Sequence, residues 1–102
     1  MIEIIYTDEF RNWLDELKDL KARKVIAVRL QRVVDGNFGD VAPVGNGISE
    51  FRIHYGPGYR VYFVRRGQTI VVLLSGGSKK SQARDIMRAK ILAQQLVDSE
   101  WP

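Results

Sequence analysis

Cysteine is absent from the 102-residue sequence, and histidine occurs once. The lack of cysteine excludes disulfide bonds, thiol catalysis and thiolate metal sites, and it is typical of a cytoplasmic protein, which is the location we expect. One histidine without clustered carboxylates does not indicate a metal site, and we expect neither a metal nor a small-molecule cofactor. Met1–Phe10 contains acids and lacks the basic segment of a signal peptide. No apolar run approaches the roughly 20 residues of a membrane span, so no membrane association is expected.

The charged side chains are unevenly divided along the chain. The net charge is +4, but residues 1–50 carry 7 Lys and Arg against 9 Asp and Glu, a net of −2, whereas residues 51–102 carry 9 against 3, a net of +6. A basic half predicts an anionic partner there, either nucleic acid or an acidic protein, and a solvated basic surface is the alternative. The length is that of one small domain, which we expect over residues 1–102.

Strand signals dominate the middle of the chain. Runs rich in β-branched and aromatic residues cover Ser49–Tyr55, Tyr59–Val64 and Thr69–Leu74, and turn signals separate them at Gly56–Gly58 and Arg66–Gln68. This pattern predicts two consecutive hairpins. The third run is apolar from its second residue onward, which is typical of a strand covered on both faces.

Helical signals lie on both sides of these strands. After a short strand over Met1–Tyr6, Thr7 is the expected N-cap of a first helix, and a second helix is predicted over Ala22–Val34. Val41–Val44 is predicted as a short edge strand, although its proline cannot donate to a ladder. The apolar stripe of the first helix consists of Phe10, Trp13, Leu14 and Leu17, and that of the second of Ala22, Ile26, Leu30 and Val33.

The C-terminal part of the chain predicts a loop followed by a last helix. The loop covers Gly76–Ser81, and Ser78 or Ser81 caps a helix that runs to about Val97, beyond which the tail with an exposed Trp101 is expected to fray. The predicted order of elements indicates an α+β fold: one strand, two helices, a run of strands and a last helix. We predict a two-layer domain with a small, mainly antiparallel sheet, an N-terminal helical hairpin and a C-terminal helix.

One face of the predicted sheet is polar. Because side chains alternate along a strand, Arg52 and His54 share a face of one strand, and Arg60 and Tyr62 share that face of its neighbour. Two lysines follow in the predicted loop Gly76–Ser81, ahead of a helix N-terminus that favours anions. This face therefore predicts a site that binds phosphate and transfers a proton. It combines two arginines, an imidazole, a phenol and two lysines.

Such a face suits the cleavage of RNA through its 2′-hydroxyl. A base must take the 2′ proton, cations must stabilise the phosphorane, and an acid must protonate the leaving oxygen, with no metal required. Guanidinium forks match phosphate oxygens, and imidazole titrates nearest neutrality. The candidate catalytic residues are therefore Arg52, Arg60, His54, Lys79 and Lys80, and the candidate RNA-binding residues are Tyr59, Tyr62 and Arg84.

Each assignment has a structural alternative. Glu50 can simply pair with Arg52 or Arg60, tyrosine rings often pack in a core, and a lone histidine such as His54 is more often structural. Gly76–Ser81 lacks the spacing of a Walker A loop, so hydrolysis of nucleoside triphosphates is not indicated.

The sequence resembles the RelE/ParE toxin superfamily, in its HigB-like addiction module killer protein branch. The resemblance covers nearly the whole chain and rests on motifs at Phe10–Leu14, Arg29–Arg32, Gly36–Asp40, Gly45–Ile53, Gly56–Phe63, Leu73–Gln82 and Asp85–Ala89. It implies a RelE-like fold with two N-terminal helices, a small antiparallel sheet and a C-terminal helix.

The resemblance also implies a toxin of a type II toxin–antitoxin system. Active relatives are endoribonucleases that cut mRNA in the ribosomal A site, and ParE-type members instead inhibit DNA gyrase. Arg60 matches the central strand arginine of the family, Arg52 a neighbouring basic position, and Lys79 and Lys80 the basic loop. His54 matches no family catalyst, and Ser78 stands where branch members often have an acid.

These observations predict a ribosome-dependent, metal-independent mRNA endonuclease that inhibits translation and growth, neutralised by a cognate antitoxin. The alternatives are a non-enzymatic gyrase inhibitor and, third, an antitoxin-binding domain without activity. Basic residues clustered in a cleft favour the enzyme, and arginines dispersed into ion pairs favour the binders. The antitoxin is expected to be acidic or amphipathic, and to cover either the helical hairpin or the polar face.

Overall fold

The computed structural model describes residues 1–99 as five strands and three α-helices. In chain order the elements are β1 (Glu3–Tyr6), α1 (Asp8–Glu16), α2 (Leu20–Val34), β2 (Val41–Gly45), β3 (Ile48–Ile53), β4 (Tyr59–Arg66), β5 (Ile70–Ser78), a 3₁₀ turn (Lys79–Ser81) and α3 (Gln82–Asp98). The sheet order is β1-β5-β4-β3-β2, with β1 parallel to β5 and the other neighbours antiparallel. The predicted exposure of Trp101 falls on a residue outside this range.

The two faces of the sheet carry separate hydrophobic cores. Phe51 and Phe63 stack 4.1 Å apart on the face that α1 and α2 cover, whereas Tyr62, Val72 and Ala89 belong to a second core beneath α3. The predicted α+β class, with its mainly antiparallel sheet, helical hairpin and C-terminal helix, is confirmed. Helices on both faces make three layers where two were predicted, which is why β5 is apolar on both sides.

Side-chain caps set the beginnings of the first two helices. The Thr7 hydroxyl accepts a hydrogen bond from the Phe10 amide at 3.2 Å and donates to the Leu73 carbonyl at 2.7 Å, which ties the start of α1 to β5. This confirms Thr7 as the N-cap. The Asp19 carboxylate accepts from the amides of Lys21 and Ala22, so α2 begins two residues before the predicted position.

The Gly76–Gly77 pair lies inside β5, and the prediction of a loop there is wrong. Gly76 pairs with Val61 and Gly77 with Arg60 on β4, so the two glycines face opposite sides of the sheet. A Cβ on Gly76 would lie within 2.5 Å of three carbons of the Trp13 ring. A Cβ on Gly77 would lie 2.7 Å from the carboxyl carbon of Asp85. Glycine therefore serves here to let α1 and α3 approach the strand closely.

Arg29 fastens the loop between α2 and β2 to the sheet. Its guanidinium donates to the backbone carbonyls of Arg52 at 2.6 Å, Phe38 at 2.9 Å and Asp40 at 2.8 Å. This arginine of α2 is therefore structural rather than a solvated charge. Among the helices of residues 1–99, none combines the length and apolar character needed to cross a membrane.

Candidate functional site

Arg52 and Arg60 lie directly opposite each other on the adjacent strands β3 and β4. Both follow the alternation that places Tyr62 in the core beneath α3, so both side chains belong to that face of the sheet. Two like charges facing each other across an antiparallel pair destabilise the pairing unless an anion compensates them. The structure places that anion two residues before Arg52, at Glu50.

Glu50 is fully buried between the two arginines and the start of α3. Its Oε2 accepts from Arg52 Nε at 2.9 Å and lies 3.8 Å from Arg60 Nε. The Gln82 amide donates to both carboxylate oxygens, at 2.9 and 3.1 Å. A buried carboxylate needs such partners because leaving water is costly for a charge. The sequence alone indicated Glu50 only as a possible partner of the arginines and carried no signal for Gln82.

The two arginines differ in accessibility. The Arg52 side chain is 40% exposed, and its hydrogen bond to Glu50 raises the pKa of the guanidinium. Arg60 is only 7% exposed, and its Nη1 donates to the carbonyls of Gly58 and Tyr59 at 3.2 and 3.3 Å. Arg52 is therefore the member of the pair that a phosphate can reach, whereas Arg60 is mostly enclosed.

Lys79 begins the 3₁₀ turn beside the turn that joins β3 and β4. Its amide donates to the Gly58 carbonyl at 2.8 Å. A Cβ on Gly58, where φ is +77°, would lie 3.4 Å from Lys79 Cβ and 3.5 Å from Arg60 Nη1. Lys79 and the Arg60 guanidinium therefore flank the same turn residue, and the exposed Lys79 side chain adds a second reachable cation to this end of the sheet.

Lys80 and Arg84 lie one step further along the chain, at the start of α3. With Ser78 and Ser81 they line an open surface cavity of about 550 Å³. Arg84 is highly exposed, and its Nε lies 3.9 Å from Asp85 Oδ1. We use the term basic cluster for Arg52, Arg60, Lys79, Lys80 and Arg84. Five cations against the carboxylates of Glu50 and Asp85 leave this cluster with a net charge of +3.

Asp85 lies beside the basic cluster, and the sequence did not predict it there. The Ser81 hydroxyl donates to Asp85 Oδ2, and the carboxylate lies over Gly77, which is opposite Arg60 on the neighbouring strand. The Asp85 carboxylate is therefore held between the start of α3 and the end of β5. The only sequence signals for it were the glycine without a side chain and the motif Asp85–Ala89.

Tyr59 and Tyr62 are buried on opposite faces of the sheet. Tyr59 packs edge-on against Trp13, with ring centroids 6.0 Å apart, and Tyr62 is fully enclosed beneath α3. Burial, with the carboxylates of Glu50 and Asp85 nearby, raises the pKa of the Tyr62 phenol well above its ordinary value. The structure gives neither ring an open face, so the expectation that they contact RNA is corrected in favour of the packing alternative.

His54 lies just beyond the end of β3 and is 72% exposed. Its Nε2 is 2.6 Å from Asp40 Oδ2, and this hydrogen bond lowers the pKa of the Asp40 carboxyl, as does the positive charge of Arg52. The imidazole therefore forms a pair with Asp40 rather than with Glu50, at the rim of the basic cluster. Among residues 1–99, no three His, Asp or Glu side chains come together in a way that could hold a metal ion.

Two comparisons with known proteins cover most of the chain. A family model described as "Phage derived protein Gp49-like (DUF891)" matches residues 12–97. A protein of Haemophilus influenzae, whose description names no function, is 47% identical over 95 residues, which are 93% of this chain and 96% of that protein.

Proposed function

The chain belongs to the phage-derived Gp49-like family, and from this premise we propose that it is a RelE/ParE-like, HigB-type toxin that cleaves mRNA on the ribosome. The observation that carries the proposal is the basic cluster. Arg52 and Arg60 face each other across two strands, and Lys79 flanks the same turn residue as Arg60. A net charge of +3 on one end of the sheet is suited to hold a phosphodiester.

Within this proposal the two arginines have different tasks. The half-exposed Arg52 contacts the scissile phosphate and stabilises the charge that develops on its oxygens. Arg60 is a positioning residue, since its guanidinium holds the carbonyls of Gly58 and Tyr59 and faces Glu50. Lys79 and Lys80 bind the flanking phosphates, and Arg84 extends that path along α3.

The pair of His54 and Asp40 supplies the proton acceptor in this proposal. An ionised carboxylate only accepts hydrogen bonds, and the pKa of Asp40 is lowered, so the imidazole Nε2–H donates a hydrogen bond to the Asp40 carboxylate. In the neutral tautomer that carries its proton on Nε2, Nδ1 keeps a lone pair that can take the 2′ proton of the RNA. The leaving 5′ oxygen takes its proton from solvent water, which reaches this open surface. This arrangement of a base and its orienting carboxylate is common in enzymes. The surface is open and does not by itself align the RNA with these side chains. In this proposal the ribosome holds the mRNA in the position that cleavage requires.

The ion pairs of the two arginines support a second candidate function. Arg52 and Arg60 both interact with Glu50, so part of their positive charge is already neutralised. Such a surface is suited to bind a partner protein without catalysing a reaction. A non-enzymatic toxin that inhibits DNA gyrase uses such a surface without the proton acceptor. The two candidates differ in whether removing the imidazole abolishes toxicity.

The deciding experiment maps transcript 5′ ends within minutes of induction. The wild type is compared with Arg52→Ala, His54→Ala and Arg65→Ala, the last being a matched arginine at the other end of β4. We expect in-frame cleavages in the wild type and in Arg65→Ala. These cleavages should be absent from Arg52→Ala and His54→Ala. Growth arrest with intact transcripts and gyrase-dependent DNA breaks would instead identify the second candidate.

A further inference from the structure

Helix α3 carries a second apolar patch on the side that faces away from the sheet. Its inner side packs on the core beneath it through five apolar residues: Ile86, Ala89, Leu92, Ala93 and Leu96. On the outer side, Met87 is 68% exposed and Ile91 is 51% exposed. The two residues lie one helical turn apart, so their side chains form a continuous apolar surface that the fold of residues 1–99 leaves in contact with water.

The outer side of α3 follows the heptad spacing of helices that pair with each other. Five exposed residues succeed one another at intervals of three, four, three and four positions: Arg84, Met87, Ile91, Gln94 and Asp98. This is the spacing of the contact positions in a two-stranded coiled coil. Over two heptads a straight helix drifts only about 40° from such a line. We call these five residues the α3 seam.

The charges at the two ends of the α3 seam have the wrong sign for their own helix. Arg84 lies in the first turn, where the helix dipole favours acids, and Asp98 lies in the last turn, where it favours cations. The Arg84 side chain is 84% exposed, and the ion pair that it forms with Asp85 is long, at 3.9 Å. Asp98 accepts from the Gln94 amide at 2.9 Å and forms no ion pair within residues 1–99.

A second copy of the chain supplies both missing counter-charges. Ile91 lies seven residues after Arg84 and seven before Asp98, which is roughly 10.5 Å in each direction at the helical rise. Two antiparallel α3 helices related by a two-fold axis at Ile91 therefore place Arg84 of each copy beside Asp98 of the other. Each charge then also lies at the end of the second helix that has the opposite sign. A parallel pair would bring like charges together, so the pattern specifies the antiparallel orientation.

The neighbouring cations of α3 do not oppose this arrangement. Arg88 is held by Glu9 of α1 through two hydrogen bonds. Lys90 Nζ lies 3.5 Å from the position that a Cβ on Gly45 would take, so this side chain extends toward the end of β2 rather than along the α3 seam. The net charge of +4 on each copy is screened beyond about 8 Å at physiological ionic strength, so the short-range contacts decide.

We propose that the chain associates with a second copy of itself through the α3 seam, as an antiparallel two-fold pair. Burial of Met87 and Ile91 stabilises the pair, and the contacts between Arg84 and Asp98 fix its register. One pair of helices buries less surface than the roughly 1,200 Å² of a stable complex. We therefore expect a reversible association with a dissociation constant on the order of 100 μM.

Self-association through the α3 seam also covers part of the basic cluster. Arg84 lines the open cavity that Lys80 and Ser81 share, and in the pair it is neutralised by Asp98 of the second copy. This consequence rests on the proposed function: the paired form should bind RNA less well than the monomer. Single-stranded RNA should in turn dissociate the pair by mass action.

Sedimentation equilibrium of the full chain between about 10 μM and 1 mM measures the association. Ile91→Lys places two cations at the two-fold axis and should weaken the association by about tenfold or more. Val28→Lys is the matched control, because Val28 is an aliphatic residue of α2 with nearly the same exposure, 52%. This variant should stay within about twofold of the wild type.

Exchange of the two seam charges tests the geometry of the pair. Arg84→Asp alone and Asp98→Arg alone bring like charges together, and each should weaken the association by about fivefold or more. The double variant restores both contacts and should return to within about twofold of the wild type. Within one chain the two positions are roughly 21 Å apart along the helix, so recovery can come only from contact between two copies.

Three results would overturn the proposal. These are a wild type that stays monomeric up to 1 mM, equal weakening by Ile91→Lys and Val28→Lys, and no recovery in the double variant. A monomeric wild type whose Ile91 methyl signals change on addition of ribosomes would assign the α3 seam to the ribosome instead. Association that a 12-nucleotide RNA leaves unchanged would refute the competition with RNA, whereas absence of transcript cleavage with association intact refutes only the proposed function.

Discussion

Replacing Gly76 by alanine should destabilise the fold through a clash with Trp13. The added methyl would lie within 2.5 Å of three ring carbons, about 1 Å closer than ordinary van der Waals contact. The ring has little room to retreat, because Phe10 and Tyr59 pack against it at centroid distances of 5.8 and 6.0 Å. Overpacking of this kind costs about 1–3 kcal/mol, and we expect the upper half of that range.

Urea and thermal unfolding followed by circular dichroism measure this loss. A decrease of about 2 kcal/mol corresponds to a fall in Tm of roughly 8–16 °C for a domain of this size. Gly67→Ala is a comparison in open space, where φ is +62° and no atom lies within 4 Å of the new methyl. Its expected cost is only the backbone strain of about 1 kcal/mol.

A double-mutant cycle separates the clash from any other effect of the alanine. In a Trp13→Ala background the methyl has room, so Gly76→Ala should then cost less than about 0.5 kcal/mol. Gly77→Ala should be milder in the wild type, because the Asp85 side chain can rotate away from the new methyl. An equal cost of Gly76→Ala in both backgrounds, or a cost below 0.5 kcal/mol in the wild type, would refute the close approach of α1 to β5.

Three further predictions concern charge and burial. Glu50→Ala should cost about 3–5 kcal/mol in urea unfolding, because Arg60 stays buried without its anion; a loss below 1 kcal/mol would contradict this. Arg88 lowers the pKa of Glu9 below its ordinary 4.5, so the pair stabilises the fold above that pH and the contribution is lost as pH falls. Arg88→Gln should therefore flatten the decrease in stability between pH 6 and 3, and an unchanged decrease would argue against the pair. Tyr62 has a raised pKa, so its phenol should stay protonated in ultraviolet titrations while the fold loses stability above about pH 10; ionisation of all four tyrosines together at pH 10 in folded protein would exclude its burial.

Local signals in the sequence were sufficient for the type and order of the helices and strands. Thr7 caps α1 because a hydroxyl at that place satisfies an amide of the first turn, and this depends only on the four residues Thr7–Phe10. The period of two along β3 and β4 placed Arg52 and Arg60 on one face, and the register of the strands confirms that they are neighbours. The continuous apolar run of β5 indicated cover on both faces, although the prediction of two layers did not use it.

The nature of the site depended on contacts between residues far apart in the chain. Gln82 reaches Glu50, Asp85 lies over Gly77, and neither contact has a periodic signature. Gly-Gly also has the composition of a turn, and only the approach of two helices explains why it continues a strand. His54 lies beyond the last residue of β3, so the alternation of that strand no longer fixes the face of its side chain.

The sequence by itself therefore determined which helix faces are buried, where the basic side chains lie along the chain and in what order the elements follow, because periodicity and capping act over a few residues. The tertiary structure alone decided that a buried carboxylate lies between the two arginines and that the two tyrosines are enclosed. These features depend on contacts between segments that are far apart in the chain. A local sequence pattern indicates that a side chain is buried, but it does not show which distant residue packs against it.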